Sequence, residues 1–217
     1  MPQAQATEKL TALYRRLLTH YGPQHWWPGE SPLEVMVGAV LTQNTNWIQA
    51  AKAIANLKKA KALDLNRLRR LPASRLAQLI RPAGYYNLKA QRLHNLIDLI
   101  FASFGGDLAG FLAAPLAKAR RELLATKGIG PETADSILLY AAGRPIFVID
   151  AYTFRILGRH DLAAVTMSYH DLQKFFMENL PADADMFNEF HALLVRLGKE
   201  RCKKNGPLCE GCPAQGW

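Results

Sequence analysis

The sequence has few cysteines, no long apolar run and no recognisable leader. Only three of its 217 residues are cysteines, and all of them follow residue 200, whereas a secreted disulfide framework spreads an even number through the chain. No apolar run reaches the roughly 18 residues that a membrane span requires. The first residues lack the basic and then apolar pattern of a secretory signal. These absences favour a cytoplasmic protein without a membrane partner.

Patterns typical of β-strands are also scarce. Only residues 146–149 have strand character, and this stretch is too short to build a sheet. Apolar residues recur instead at the spacing of one helix face, for example from Leu10 to Tyr21 and from Met186 to Leu197. Further helical patterns cover residues 33–41, 47–60, 74–80, 88–103, 115–126, 135–142 and 169–180. The sequence therefore predicts an all-α protein.

Basic residues exceed acidic ones by a wide margin. The chain carries 27 Lys and Arg against 18 Asp and Glu, a formal net charge of +9 at pH 7. Such an excess favours a polyanionic partner, because each phosphate that a Lys or Arg neutralises releases condensed counterions. The basic residues are dispersed along the chain, which is typical of a charged surface and not of a disordered arm. A nucleic acid partner is one interpretation, and general solubility is the other.

Two glycines flank one apolar residue between two helical patterns, at Gly128-Ile129-Gly130. Glycine allows the backbone to turn tightly and to approach a ligand, and Pro131 suits the first turn of the next helix. The N–H groups at that helix start would face a phosphate oxygen, and the helix dipole would assist. This geometry grips DNA without reading bases. Taken alone, an ordinary connection between two helices explains it equally well.

Four stretches, taken in order, resemble the endonuclease III superfamily of helix-hairpin-helix DNA glycosylases. They are GAVLTQNT at 38–45, GYYNLKA at 84–90, KGIGPETAD at 127–135 and VIDAYTFR at 148–155. The resemblance covers about residues 30–212. It implies two helical domains with a cleft between them, into which a damaged base flips out of double-stranded DNA. A monomeric, nucleoid-associated enzyme of base excision repair is the corresponding expectation.

The same resemblance implies the domain boundaries. A six-helix domain with the helix-hairpin-helix would span 30–147. The second domain would combine residues 1–29 with 148–217, which include the cysteine loop.

Asp150 matches the catalytic aspartate of that superfamily. It follows the apolar run 146–149, which would place its carboxylate at the edge of the core, facing a cleft. Breaking an N-glycosidic bond builds positive charge on the sugar, and a nearby carboxylate stabilises that charge and orients or deprotonates the attacking water. The alternative role is an N-cap of the helix that begins at Ala151, and one residue is able to fill both roles.

One hairpin position departs from the superfamily pattern of strand-nicking enzymes. Those enzymes carry a lysine two residues after the second glycine, as the amine that forms a Schiff base. This chain has Glu132 at that position. The departure predicts a monofunctional DNA N-glycosylase without lyase activity. Glu132 itself either faces the base pocket, where it would attract a cationic base, or is a solvated residue of the first helical turn.

Three of the four tryptophans, Trp26, Trp27 and Trp47, lie in one N-terminal region. Aromatic faces hold a flipped base by stacking, and a cationic base gains a cation–π interaction. Together with Pro28 and Glu132, these residues resemble the small 3-methyladenine glycosylases of the superfamily. The resemblance implies a pocket of Trp26, Trp27, Trp47 and Glu132 for an alkylated purine. Burial in the core is the alternative for the tryptophans.

Other residues match DNA contacts of the superfamily. Gln43 and Asn44 lie where the family inserts a polar side chain into the gap left by the flipped base, although a hydrogen-bonded loop at a helix end is the alternative. A second phosphate site is implied at Tyr86, Asn87 and Lys89, unless this aromatic loop only packs on its own helix. Contacts at the hairpin itself are implied for Lys127, Gly128, Gly130 and Thr133.

The cysteines Cys202, Cys209 and Cys212 match the first three ligands of the endonuclease III iron–sulfur loop. In that loop a fourth cysteine would come immediately after Trp217, so either the sequence continues or the site lacks its usual fourth ligand. Four thiolates are the usual requirement of a [4Fe–4S] cluster, and zinc also takes four ligands. We expect a [4Fe–4S] cluster with a structural role. Three ordinary thiols are the alternative.

Two other functions are compatible with the same residues. Removal of uracil or thymine from mismatches also needs Asp150 and no lysine, but its pocket would be neutral and rich in hydrogen-bond donors. A non-catalytic module that only binds DNA would need neither Asp150 nor the aromatic residues. The sequence therefore favours a glycosylase for alkylated purines such as 3-methyladenine.

Overall fold

The structure is a computed structural model that describes residues 2–162 and 166–217. Within these ranges it contains twelve α-helices and no strand, so the all-α prediction is confirmed. In chain order the helices are α1 (Gln3–Tyr21), α2 (Pro32–Leu41), α3 (Trp47–Lys59), α4 (Leu65–Arg70), α5 (Ala73–Leu79), α6 (Tyr86–Phe104), α7 (Leu108–Ala113), α8 (Leu116–Ala125), α9 (Pro131–Ser136), α10 (Ala151–Arg159), α11 (Tyr169–Asn179) and α12 (Ala184–Glu200). None of the described helices is long and apolar enough to cross a membrane.

The chain divides into two compact units. The terminal unit combines Met1–Trp27 with Pro145–Trp217, and the central unit is Pro28–Arg144. The central unit contains α2 to α9, a short 3₁₀ helix at Arg81–Ala83, and a π-helical turn at Ile137–Ala141 that continues α9. The terminal unit contains the other four α-helices.

Helix α2 is the apolar centre of the central unit. All its residues after Pro32 are buried. Ser31 caps the helix, because its hydroxyl oxygen accepts a hydrogen bond from the Glu34 N–H at 3.3 Å. A helix that is apolar on all sides must be surrounded, and α2 packs against α3, α6, α9 and the π-helical turn. This core supports the loop after α2, the start of α6 and the glycine hairpin.

The core of the terminal unit forms around the extended segment 146–149. Phe147 is buried and stacks on Phe176 of α11, with ring centroids 3.9 Å apart. Phe187 and Phe190 of α12 meet the same ring edge-on. The Phe147 carbonyl oxygen also accepts a hydrogen bond from the Gln173 side chain at 2.7 Å. These contacts fix the chain just before Asp150.

The structure differs from the predicted elements in three places. Helices α4 and α7 were not predicted, because six residues are too few to establish a period, although Asp64 and Asp107 cap them. The helix predicted at 135–142 begins earlier, at Pro131, and ends in the π-helical turn. Residues 146–149, by contrast, behave as predicted: they are extended, and among the described residues they build no sheet.

Candidate DNA-binding surface and catalytic carboxylate

The glycine hairpin joins α8 to α9. Gly128 has a φ of +92°, and a Cβ atom added there would lie 2.5 Å from Cγ of Arg92. The backbone conformation and the neighbouring side chain therefore both demand glycine. Gly128 and Gly130 are exposed, and Pro131 occupies the first helical position. The exposed backbone of this turn matches what a phosphate-binding hairpin requires.

Side chains from α6 and from the loop after α2 hold the hairpin in place. Gln43 donates from its amide nitrogen to the Gly128 carbonyl at 3.1 Å and to the Thr133 hydroxyl at 2.9 Å. Arg92 donates to the amide oxygen of Gln43 at 2.5 Å, and Asn95 donates to the Lys127 carbonyl at 2.9 Å. Sequence reasoning missed Arg92 and Asn95, although their spacing of three residues puts both on one face of α6.

This network changes the interpretation of Gln43 and Thr133. Both were predicted to contact DNA, but Thr133 is buried and its hydroxyl is bonded to Gln43. Either side chain would have to exchange this bond for one to DNA. Asn44 has no such restriction on its position: it is exposed at the tip of the loop and has a positive φ of 52°. Asn44 is therefore the better placed of the two loop residues to enter DNA.

Lys89 does not lie where the phosphate prediction put it. Its side chain is buried with 1% exposure, and its ammonium donates to the carbonyl oxygens of Leu41 and Ala83, at 2.8 Å each. Burial, assisted by the charge of Arg92, lowers the pKa of Lys89 to about 8. In this structure Lys89 cannot reach a phosphate, because its charge is held inside the unit by two carbonyls. It joins the end of α2 to the turn before α6.

The start of α6 instead exposes a residue that sequence reasoning missed. Tyr85 is 69% exposed and adopts a left-handed backbone conformation with a φ of +45°. Asn87 is exposed, as predicted for a DNA contact, whereas Tyr86 is half-buried beside the guanidinium of Arg81. A left-handed conformation at a residue other than glycine costs free energy, so the turn at Tyr85 is strained.

Asp150 is the N-cap of α10. Its Oδ1 accepts hydrogen bonds from the Thr153 N–H at 2.7 Å and from the Thr153 hydroxyl at 2.9 Å. Its Oδ2 lies 3.7 Å from Nε2 of His191, an imidazole buried on α12. Hydrogen bonds therefore hold Oδ1 of the carboxylate, whereas Oδ2 faces the imidazole of His191. Burial lowers the pKa of His191 below its ordinary value of 6.5, and the charge of Asp150 opposes that effect.

The four residues predicted to form a base pocket belong to different units. In the terminal unit, Trp26 and Trp27 are half-buried with ring centroids 5.4 Å apart, and the Lys199 ammonium lies 5.9 Å from the Trp26 centroid. In the central unit, Trp47 is half-buried in the first turn of α3, and Glu132 is exposed in the first turn of α9. All three tryptophans are half-buried.

The three cysteines line one cavity of about 190 Å³ in the terminal unit. Arg159 donates to Sγ of Cys202 at 3.2 Å, and it also binds the carbonyls of Lys203 and Lys204. Within the described part of the chain, no group of three His, Cys, Asp or Glu side chains has the geometry to hold a metal ion. Arg159 therefore holds the cysteine loop in place, and its positive charge would stabilise a thiolate at Cys202.

Comparison with known proteins places this geometry in a family. The profile described as "HhH-GPD superfamily base excision DNA repair protein" matches residues 37–182, which is more than half of the chain. The chain belongs to the HhH-GPD superfamily. The matched range includes the hairpin and Asp150, whereas Trp26, Trp27 and the three cysteines lie outside it.

Individual relatives of this superfamily member carry different names. A protein of Methanocaldococcus jannaschii named "Putative DNA repair glycosylase MJ1434" is 43% identical over 208 residues, which are 95% of this chain and 94% of that one. A 3-methyladenine DNA glycosylase of H. pylori, solved with 1,N6-ethenoadenine, is 31% identical with a TM-score of 0.74, covering 90% of this chain and 97% of its own. A thymine-DNA glycosylase of Aeropyrum pernix is 28% identical over 218 residues, 94% of this chain and 92% of its own.

Proposed function

We propose that this HhH-GPD protein is a monofunctional DNA glycosylase that removes an alkylated purine, such as 3-methyladenine, from double-stranded DNA. The observation that carries the proposal is the setting of Asp150. One oxygen of its carboxylate is fixed by Thr153, and the other lies 3.7 Å from the buried imidazole of His191. Capping of α10 requires only the oxygen that accepts from Thr153, so the other oxygen is available for catalysis.

The proposed reaction is hydrolysis of the bond between sugar C1′ and the base nitrogen. The electron pair of this bond leaves with the base, and positive charge develops on the sugar. The Asp150 carboxylate stabilises that charge, then accepts a proton from the water that attacks C1′. The products are the free base and an abasic site in an unbroken strand. An alkylated purine such as 3-methyladenine is already cationic in DNA, so it is a good leaving group and does not need to be protonated by the enzyme.

The absence of a hairpin lysine supports hydrolysis without strand cleavage. A lyase reaction of this superfamily needs an amine that attacks C1′ and forms a Schiff base. Glu132 stands at the position of that amine and is exposed in the first turn of α9. Lys89, another lysine of the central unit, is buried and bound to two carbonyls, which keeps it from replacing the amine.

DNA binding is proposed for the exposed residues around the hairpin. The backbone of Gly128 and Gly130 would bind one phosphate, with Lys127 beside it, and these contacts carry no sequence preference. Asn44 and Tyr85 are exposed side chains on two turns of the central unit, and we propose that they enter the duplex next to a flipped base. The net charge of +9 adds a general attraction to the phosphate backbone.

The choice of an alkylated purine depends on the aromatic residues. A cationic base would stack on Trp26, Trp27 or Trp47 with a cation–π contribution of roughly 0.5–2 kcal/mol, and the carboxylate of Glu132 would favour the same charge. The 31% identity to a 3-methyladenine DNA glycosylase supports this substrate class.

A mismatched thymine or uracil is the second candidate substrate. The observation that favours it is the 28% identity to a thymine-DNA glycosylase over nearly the whole chain. The catalytic step would be the same, because it also uses an aspartate and a water molecule. The pocket would differ, since a neutral pyrimidine gains nothing from Glu132 or from a cation–π contact.

We also propose that Cys202, Cys209 and Cys212 supply three of the four thiolates that a [4Fe–4S] cluster requires. The three cysteines line one cavity, and the guanidinium of Arg159 beside Cys202 suits thiolate charge. Bound there, the cluster would stabilise the loop and contribute no chemistry to base removal. Iron and sulfide analysis of protein purified without oxygen, with absorbance near 400 nm, tests this. Protein that is colourless and iron-free, yet active, would contradict it.

The experiment that tests the function is base release from a panel of duplexes. The panel contains alkylated purines, uracil and thymine mismatches, and oxidised pyrimidines, each assayed with and without alkali. We expect release of 3-methyladenine, with strands broken only after alkali. Release confined to pyrimidines would replace the substrate by the second candidate. Strand cleavage without alkali would overturn the monofunctional mechanism, and no release from any duplex would leave a module that only binds DNA.

A further inference from the structure

His191 is a buried titratable residue that the proposed reaction has not yet used. It lies on α12, where its neighbours along the chain, Phe190, Ala192 and Leu194, are buried and apolar. Burying a polar ring is unfavourable unless the ring interacts with another polar group. Nε2 faces Oδ2 of Asp150 at 3.7 Å, so the carboxylate is a charged group that this nitrogen faces.

The two oxygens of Asp150 are held differently. Oδ1 accepts both bonds from Thr153, and these bonds restrict rotation of the carboxylate. Oδ2 therefore remains as the oxygen able to act on the sugar or on water. The distance of 3.7 Å to His191 is slightly too long for a hydrogen bond, and a small closure of α12 on α10 would bring it into range. Catalytic hydrogen bonds are commonly long before substrate binds.

The charge state of His191 decides what it does to Asp150. Burial lowers the pKa of the imidazole, so that the ring is neutral near pH 7. Among the described residues, α1 and α10 are the main helices packed on α12, and Asp150 at the start of α10 is the charged group that acts on the ring. A neutral donor orients a carboxylate and leaves its charge intact. A cation at the same place would cancel that charge.

We propose that His191 is a positioning residue for Asp150. Its neutral imidazole donates a hydrogen bond from Nε2 to Oδ2. This bond fixes the orientation of the carboxylate, so that Oδ2 faces the reacting sugar. The inference rests on the proposed function, because it assumes that Asp150 performs the catalytic step.

Three substitutions test the position of the donor. Gln places an amide nitrogen close to the position of Nε2, Asn is too short to do so, and Leu has no donor. We expect His191→Leu and His191→Asn to lower the single-turnover rate of 3-methyladenine release about 10–100-fold, and His191→Gln to restore most of it. The substrate is duplex DNA carrying radiolabelled methyl groups. Affinity for undamaged duplex should stay the same in all three variants, because Asp150 acts after the base has flipped.

Two controls separate this role from packing. Val195→Ala disturbs the same helix at another buried position without removing a donor, and it should lower the unfolding temperature while leaving the single-turnover rate unchanged. Nitrogen-15 NMR of wild-type histidines should show His191 as the neutral Nε2–H tautomer at pH 7, with a shift that responds to Asp150→Asn. This spectrum needs no His191 variant to fold.

The outcomes are distinct. If His191→Leu keeps the wild-type rate, or if Gln is as slow as Leu, the positioning role is wrong. An Nδ1–H tautomer would also contradict it. If Asp150→Asn itself releases base at the wild-type rate, the proposed function fails, and this result is distinguishable because it does not depend on His191.

Discussion

Replacing Lys89 with Met tests whether the buried ammonium holds two turns of the central unit together. The ammonium makes two hydrogen bonds of 2.8 Å, to the carbonyls of Leu41 and Ala83. Hydrogen bonds of a charged group contribute about 1.5–3 kcal/mol each. Methionine has a similar shape and leaves both carbonyls buried without this donor. Part of the loss is offset, because the same burial penalises the charge and lowers the pKa of Lys89 to about 8.

The expected net effect of Lys89→Met is a loss of about 2–4 kcal/mol in the free energy of unfolding. For a chain of this size that corresponds to a fall of roughly 5–12 °C in Tm. Chemical denaturation and thermal melting at pH 7 measure both quantities. Lys59→Met is the matched control, since Lys59 is exposed at the end of α3 and its loss should change stability by less than about 0.5 kcal/mol.

The pH dependence of this variant supplies an independent check. Because the pKa of Lys89 is lowered to about 8 in the native state, the native protein loses this proton first as the pH rises. The unfolded chain still binds it up to about 10.5, so the native state gains stability between these values. The stability difference between wild type and Lys89→Met should therefore widen from pH 8 to 10. A variant as stable as wild type, or a difference that narrows, would refute the reasoning.

Three further predictions follow from particular contacts. Gly128→Ala should destabilise the protein by about 1–2 kcal/mol and weaken DNA binding, because the φ of Gly128 is +92° and a Cβ would collide with Arg92. Denaturation measures the stability and fluorescence anisotropy the DNA affinity, and an unchanged affinity would contradict DNA binding by the hairpin. Arg120→Met should lower the free energy of unfolding by about 3–5 kcal/mol, since it removes the guanidinium that lies 2.7 Å from the fully buried Asp135 carboxylate. A loss under about 1 kcal/mol in denaturation would contradict this prediction. Because burial lowers the pKa of His191 below 6.5, the unfolded chain binds a proton that the native state refuses, and stability should fall by up to about 1.4 kcal/mol per pH unit below 6.5. His191→Gln should remove that share of the slope in denaturation between pH 6.5 and 5, and equal slopes would refute it.

The helices could be predicted because one apolar face repeats over several turns, as in α1 and α12. The hairpin was recognisable for a different reason, since Gly128 is a position where backbone and space admit no side chain. Short helices such as α4 escape because six residues carry no period. The capping aspartate before it, Asp64, was the available signal.

The candidate site shows where sequence reasoning ends. Asp150 was predicted with both of its roles, and the capping role is visible in its bonds to Thr153. Lys89 was predicted to contact a phosphate because its stretch resembles a DNA-contacting stretch of the superfamily. Only the three-dimensional packing of α6 shows that the Lys89 side chain is buried, while Tyr85 and Asn87 of the same turn are exposed. The pairing of Asp150 with His191, 41 positions along the chain, likewise depends on how α10 and α12 pack.

The most direct test of the central claim is single-turnover release of 3-methyladenine by wild type and by Asp150→Asn. Asn also caps helices well, so the variant should fold and bind undamaged duplex as wild type does. We predict a rate at least about 100-fold lower for the variant, because the carboxylate charge and the proton acceptor are lost together. A variant rate within threefold of wild type, with equal DNA affinity, would contradict catalysis by Asp150.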